Sequence, residues 1–159
     1  MVEIAAAHPE ELARVAAFYE ECGYDGSIAA SDTILLARMA GQLVGAVRLC
    51  PEDGVTVLRG MEVRAEYQRR GIGSQLLRAC VPLLDARPSF CLPYTHLVSF
   101  YGAVSFEVVQ PSRLPPFLAA RLASYLAEGR DVLAMHRVTP LHRARAGDLA
   151  LARADDVIR

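Results

Sequence analysis

Three strand-like runs, DTILLARMA, LVGAVRLC and VTVLRGMEV, follow one another with only Gly41-Gln42 and PEDG between them. Connections this short join antiparallel neighbours, because a parallel crossover needs a dozen or more residues. The third run ends at Val63 and leads into EYQRRGIGSQLLRA, whose second half reads as a helix. A hairpin series that feeds a glycine-rich helix start is a narrow specification. It excludes a dinucleotide fold in which the glycine loop follows the first strand of a parallel unit.

The remaining elements fill in around this centre. VEIAAA reads as a first strand, and HPEELARVAAFYEECGY as a helix opened by Pro9 and ended by Gly23, with Leu12, Val15, Ala16 and Tyr19 as its apolar stripe. The helix after the glycine loop runs from Gly71 toward Asp85, with Ile72, Leu76, Cys80, Leu83 and Leu84 inward and Pro82 shortening its end. SFCLPY is a strand that Pro93 detaches from its neighbour. THLVSFYGAV is a short helix, FEVVQ a strand, PPFLAARLASYLAEG a helix and DVLAMHRV a closing strand. The order is β-α-β-β-β-α-β-α-β-α-β, an α/β architecture with a mixed, mostly antiparallel sheet of six or seven strands and helices on both faces. One domain is expected over residues 1–138, followed by an appendage over 139–159 that would dock on a partner subunit or form a tail.

Composition removes several function classes. The chain has 159 residues, 53% of them hydrophobic, and a net charge of −1, which disfavours nucleic-acid binding by bulk positive charge. It contains no lysine, so Schiff-base chemistry and a P-loop are both excluded. The four cysteines lie far apart with no ligand spacing, and no metal site is expected. Without a leader or a long apolar run, a cytoplasmic protein that does not enter a membrane is expected.

The glycine loop is a candidate anion seat. The first amides of a helix lack internal acceptors and carry the positive end of its dipole. Gly71 and Gly73 let a ligand approach that backbone, Ser74 adds a hydroxyl, and Arg69 and Arg70 add charge. Phosphate or pyrophosphate is the natural occupant, and a plain solvated helix start is the alternative.

MEVRAEYQRRGIGSQLL (Met61 to Leu77) resembles the acyl-CoA signature of the GNAT superfamily of N-acetyltransferases. There a strand ending V-x-P-x-x leads into [QR]-x-x-G-x-[GA]. Val63, Gln68, Arg69, Arg70, Gly71, Ile72 and Gly73 match, and Ala65 replaces the usual proline. YTHLVSFYGAVSFEVV is similar to the later N-x-x-A-x-x-L-Y-x-x-x-G-F segment, with Phe100, Tyr101 and Phe106 in register. Tyr94, Leu97 and Ser105 depart from it.

The resemblance implies a sheet splayed between its fourth and fifth strands and acetyl-CoA or coenzyme A as co-substrate. The backbone from Arg69 to Ser74, including Gly71, Ile72 and Gly73, would hold the pyrophosphate, with Gln68 beginning the cradle. Main-chain groups of Met61 and Val63 would pair with the pantetheine arm, and the Val63 amide would polarise the thioester. Tyr101 would protonate the leaving thiolate. The family's acidic positions hold Arg59 and Val57, so the base is open: Glu62, His96, a water relay, or an amine that arrives neutral. The side on which Glu62 points depends on strand parity. If PEDG pairs Cys50 with Val55, Arg48 stands opposite Val57 with Arg59 diagonal to it, and both arginines would bind an acidic group on the acceptor. The implied reaction is direct acyl transfer to a primary amine of a small molecule or peptide, in a possible homodimer. A non-catalytic acyl-CoA-binding regulatory module is the alternative.

Overall fold

The structure, a computed structural model, describes residues 1–140. Of the appendage expected over 139–159, residues 141–159 lie outside the described residues.

Seven strands form one sheet: β1 (Val2–Ala6), β2 (Thr33–Met39), β3 (Gln42–Glu52), β4 (Val55–Val63), β5 (Ser89–Cys91), β6 (Glu107–Val108) and β7 (Met135–Arg137). Their spatial order is β1-β2-β3-β4-β5-β7-β6, and only β4 and β5 run parallel. Five helices accompany them: α1 (Leu12–Glu21), α2 (Ile72–Ala79), α3 (Val81–Leu84), α4 (Val98–Gly102) and α5 (Pro116–Ala127). Strand β2 shows why its sequence is an unbroken apolar run. Leu35 and Ala37 pack in the core with Ile72 and Leu76 of α2, while Ile34 and Leu36 pack with Val15, Phe18 and Tyr19 of α1. Covered on both faces, the strand cannot alternate with polar residues.

Helix details shift slightly from the expected stripes. Phe18 is buried on α1 where Ala16 is exposed, and Leu83 is 39% exposed. Pro82 has no N–H to continue the ladder, and the long helix divides at Cys80 into α2 and α3.

Both hairpin turns fall one or two residues from their expected places, for one reason. A two-residue hairpin turn of this kind needs positive φ at consecutive residues. Ala40 (φ 49°) and Gly41 (φ 77°) supply it in the first, Asp53 (φ 48°) and Gly54 (φ 79°) in the second. Pro51, whose ring fixes φ negative, therefore stays in β3. Cys50 pairs with Val57 and Arg48 directly with Arg59, which corrects the expected register by two residues.

Strand β4 carries a bulge. Arg48 pairs with Arg59 and Ala46 with Glu62, so Gly60 and Met61 together face Val47. Gly60 takes φ 61°, a conformation suited to glycine. The extra residue reverses parity. Leu58 and Met61, three apart, both pack on the α2 side, so Arg59 and Glu62 share the α1 side with Ala46 and Arg48.

Beyond the bulge the sheet parts. Strand β5 pairs with β4 only at Thr56 and Val57, and from Leu58 onward β4 has no strand partner on that edge among the described residues.

Arg48 is a strut. It is 2% exposed, its Nε and Nη2 donate to Asp32 Oδ2 at 3.1 and 2.8 Å, its Nη1 to the Tyr24 hydroxyl at 2.6 Å and its Nη2 to the Ser27 carbonyl at 2.6 Å. The loop between α1 and β2 is thereby tied to the sheet. Removing the guanidinium leaves the Asp32 carboxylate buried and unpaired. Arg48→Met should cost about 3–5 kcal/mol in urea unfolding, and adding Asp32→Asn should recover part of that loss. A cost near zero in the single variant would show that the pair does not hold the loop.

Candidate active site

The parting of β4 from β5 opens a cleft of about 270 Å³. Its floor is β4 from Val57 to Glu62, and its far wall is Cys91 to Tyr94 at the end of β5. Tyr101 reaches it from α4, Tyr24 and Asp25 from the loop after α1, and Arg121 and Tyr125 from α5.

The exposed edge of β4 has a defined polarity. Arg64 donates its amide to the Val44 carbonyl. Alternation along the strand therefore turns Glu62 toward β3 and the main-chain groups of Met61 and Val63 toward the open edge. The side chain of Gln68 donates to the Val63 carbonyl at 3.0 Å and ties the glycine loop to the end of this edge.

In the loop, Arg69 (φ 63°) and Gly71 (φ 80°) are both left-handed, and Gly71 precedes α2 without a side-chain cap. Among the described residues the amides of Arg69 to Ser74 meet no acceptor; the next, Gln75, donates to the Gly71 carbonyl at 3.0 Å. A Cβ on Gly73 would lie 3.5 Å from Phe100, an ordinary contact. Packing of the protein itself therefore does not require glycine there, and a Cβ on Gly71 would meet nothing within 4 Å. Arg70 lies over the Tyr67 ring, 5.3 Å from its centroid. These donors and this space suit a diphosphate.

Tyr101 and Glu62 face the cleft with altered acidity. Tyr101, packed edge-on against Phe100 and Phe106, is 5% exposed, and burial raises its phenol well above the ordinary value, so the proton is retained. Among the described residues its hydroxyl has no partner. Glu62 is half-buried, and desolvation raises its carboxyl above the usual range. It also borders a second hollow of about 220 Å³ beside Glu21 and Glu66. Burial pushes the Cys50 thiol up to about 12 and the Cys91 thiol higher still, which disfavours a thiolate nucleophile.

Of the residues singled out from sequence, Arg59, Met61, Glu62 and Tyr101 meet in the cleft. Val63, Gln68, Arg69, Arg70, Gly71, Ile72, Gly73 and Ser74 do not line it; Val63 and Gln68 border the second hollow. Arg48 does not line it, and the role of acceptor ligand is corrected: four of its five N–H donors are committed inside the protein. Arg59 has no hydrogen-bonding or ion-pair partner among the described residues. His96 stacks on Tyr94 with centroids 5.9 Å apart and does not line the cleft. Arg121 and Tyr125 were not legible, because no local pattern marks them. Arg121 is placed by a two-pronged ion pair with Glu52 (3.1 and 2.6 Å) across 69 positions of chain. Among the described residues no cluster of three metal-ligating side chains exists, and no helix is long and apolar enough to cross a membrane.

Comparison with known proteins agrees with this geometry. No curated protein matches the sequence. Solved structures share the fold at low identity. N-acetylglutamate synthase from Neisseria gonorrhoeae, complexed with coenzyme A and N-acetyl-glutamate, is 19% identical with a TM-score of 0.64. The match covers 87% of this chain but 35% of that one, so the chain spans about a third of the synthase's length. The ribosomal-protein-S18-alanine N-acetyltransferase of Escherichia coli is 15% identical (TM-score 0.64), with 87% and 94% of the two chains covered. Arabidopsis thaliana Naa50, in complex with the bisubstrate analogue CoA-Ac-MVNAL, is 17% identical (TM-score 0.60), with 86% and 97% covered. The model of the Acetyltransferase (GNAT) family matches residues 3–92, more than half of the sequence. With its splayed sheet, bulged fourth strand and uncapped glycine loop, the chain belongs to the GNAT family of acetyltransferases.

Proposed function

We propose that this protein moves an acetyl or other short acyl group from coenzyme A to the primary amine of a small acceptor that carries an acidic group. Family membership and neighbours solved with coenzyme A support the donor. The carrying observation for the acceptor is the unpartnered Arg59 guanidinium on the same face of β4 as Glu62, inside the cleft.

The uncapped amides from Arg69 to Ser74 would hold the donor's diphosphate, and the open edge at Met61 and Val63 would take its arm as an added strand. The Val63 amide would polarise the thioester carbonyl. Glu62 accepts the proton lost by the amine, for which its raised pKa makes it a stronger base. The new C–N bond forms as the C–S bond breaks, and Tyr101, still protonated, gives its proton to sulfur and takes one back from solvent in the cleft once the thiol leaves. Glu62 then releases its proton through the hollow beside Glu21. Attack is direct, because Cys91, the thiol in the cleft, is held protonated by burial. Helix α5 covers the acceptor end with Arg121 and Tyr125, which supports a small molecule over a polypeptide.

An amine panel with acetyl-CoA should show thiol release that is fastest for acidic amines. Arg59→Met should raise KM for those amines by about tenfold or more, the loss of a charge-assisted hydrogen bond, and leave neutral amines unaffected. Equal effects on both classes would refute the acceptor assignment. Gly73→Ala should keep its melting temperature yet bind coenzyme A about tenfold more weakly, ~1.4 kcal/mol, by calorimetry.

The acid limb of kcat/KM should lie above the ordinary carboxyl range, with activity lost as pH falls through the raised Glu62 pKa. Glu62→Gln should abolish that limb and lower kcat by about 10²-fold or more. Tight coenzyme A binding without turnover on any amine would instead fit a binding module.

A further inference from the structure

The bulge at Gly60 is held from outside the sheet. The Tyr19 hydroxyl, from α1, donates to the Gly60 carbonyl at 2.7 Å. Tyr19 is 2% exposed and its ring lies 4.7 Å from that of Tyr24, which Arg48 fixes in turn. A Cβ on Gly60 would stand 3.0 Å from Tyr19 Oη and 3.2 Å from Arg48 Cδ, so the two side chains fence the bulge closely. Neither sequence nor family pattern gives Tyr19 more than a place on an apolar stripe.

The peptide joining Gly60 to Met61 is trans, as are all the described peptides. In a trans peptide the carbonyl and the following N–H point in opposite directions. Drawing the Gly60 carbonyl toward α1 therefore directs the Met61 N–H away from α1, on the stretch of β4 that has lost its partner strand. The same bulge sets the parity that brings Glu62 to the acceptor side. One hydroxyl thus fixes two things at once: the orientation of the peptide that leads into the donor edge and the side from which the base works.

We infer that Tyr19 is a positioning residue for acyl transfer, acting through the Gly60–Met61 peptide and touching neither substrate. This rests on the transfer reading above. Without the hydroxyl the bulge can relax toward regular pairing, and the donor edge loses its alignment while the phosphate loop, on the other side of Val63, is unaffected.

The test is Tyr19→Phe. The variant should lower kcat by about 10- to 100-fold, the scale of a small misplacement of reacting groups, with KM for acetyl-CoA within about twofold. Unchanged kcat, or KM rising in step with the loss, would overturn the inference. Nitrogen-15 relaxation gives a reading independent of turnover. The Met61 amide order parameter should fall from about 0.85 toward 0.6 in the variant, while Val57 and Leu58 stay rigid. Should the variant not fold, the wild-type protein decides: a slowly exchanging Tyr19 hydroxyl proton with a cross-peak to Met61 is expected, and a freely exchanging one refutes the clamp. Absence of thiol release in the wild type would sink the transfer reading, and the relaxation result would still judge the clamp.

Discussion

The loss of pairing between β4 and β5 after Val57 is the constraint on which the rest of the site depends. A sheet interior that stops being a sheet leaves main-chain donors and acceptors that must find other partners. In this chain they face a cleft bordered by Tyr101, Glu62 and Arg59. In the proposed function, an edge of unpaired amides beside uncapped helix amides takes an extended, diphosphate-bearing ligand. The two features are joined by a single side-chain hydrogen bond, from Gln68 to Val63. On that proposal the donor end is almost wholly backbone, and its specificity would follow from geometry more than from side-chain identity.

The acceptor end is different, because side chains build it. Arg48 and Asp32, each with a 2% exposed side chain, form a buried pair whose further bonds reach Tyr24 and Ser27. A buried ion pair is weak evidence for net stability, since desolvation offsets much of its attraction. Its value here is placement: a glycine-containing loop (Gly23, Gly26) gains a fixed anchor beside the cleft. Arg59, across from Arg48 on the neighbouring strand, then remains as a cation without an internal partner among the described residues. Two arginines in register would repel if both were free. Committing one to Asp32 resolves that and leaves the other available.

Much of this was legible from residue order. The hairpin series, the mixed sheet, the parting at the fourth and fifth strands and the glycine loop follow from turn residues, periodicity and a recognisable signature. The failures have local causes. The turn at Asp53-Gly54 was placed too early because Pro51 looked like a turn residue, whereas the pair of positive φ angles decides the turn. That two-residue error misplaced the partner of Arg48. The side chosen by Glu62 was undecidable, because a bulge changes parity without changing composition, and Gly60 alone does not announce one. Tyr19 and Arg121 were invisible in their roles because their partners, Gly60 and Glu52, lie 41 and 69 positions away.

Helix α5 limits the space beside the cleft. Neighbouring antiparallel strands such as β6 and β7 can be joined by two residues, yet here residues 109–134 intervene and include a twelve-residue helix. Its Leu118 and Leu122 pack with Val57 and Phe90, at the point where the sheet begins to part. Its Arg121 is pinned to Glu52 at the tip of the β3–β4 hairpin, so the helix is held across the acceptor end of the cleft. An open groove for a polypeptide would need that span clear. With α5 anchored by apolar packing on one side and a two-pronged ion pair on the other, moving it would expose apolar surface and break the pair together. The compact acceptor of the proposed function, entering past Tyr24 and Asp25 and met by Arg59, would fit this closure without that disruption.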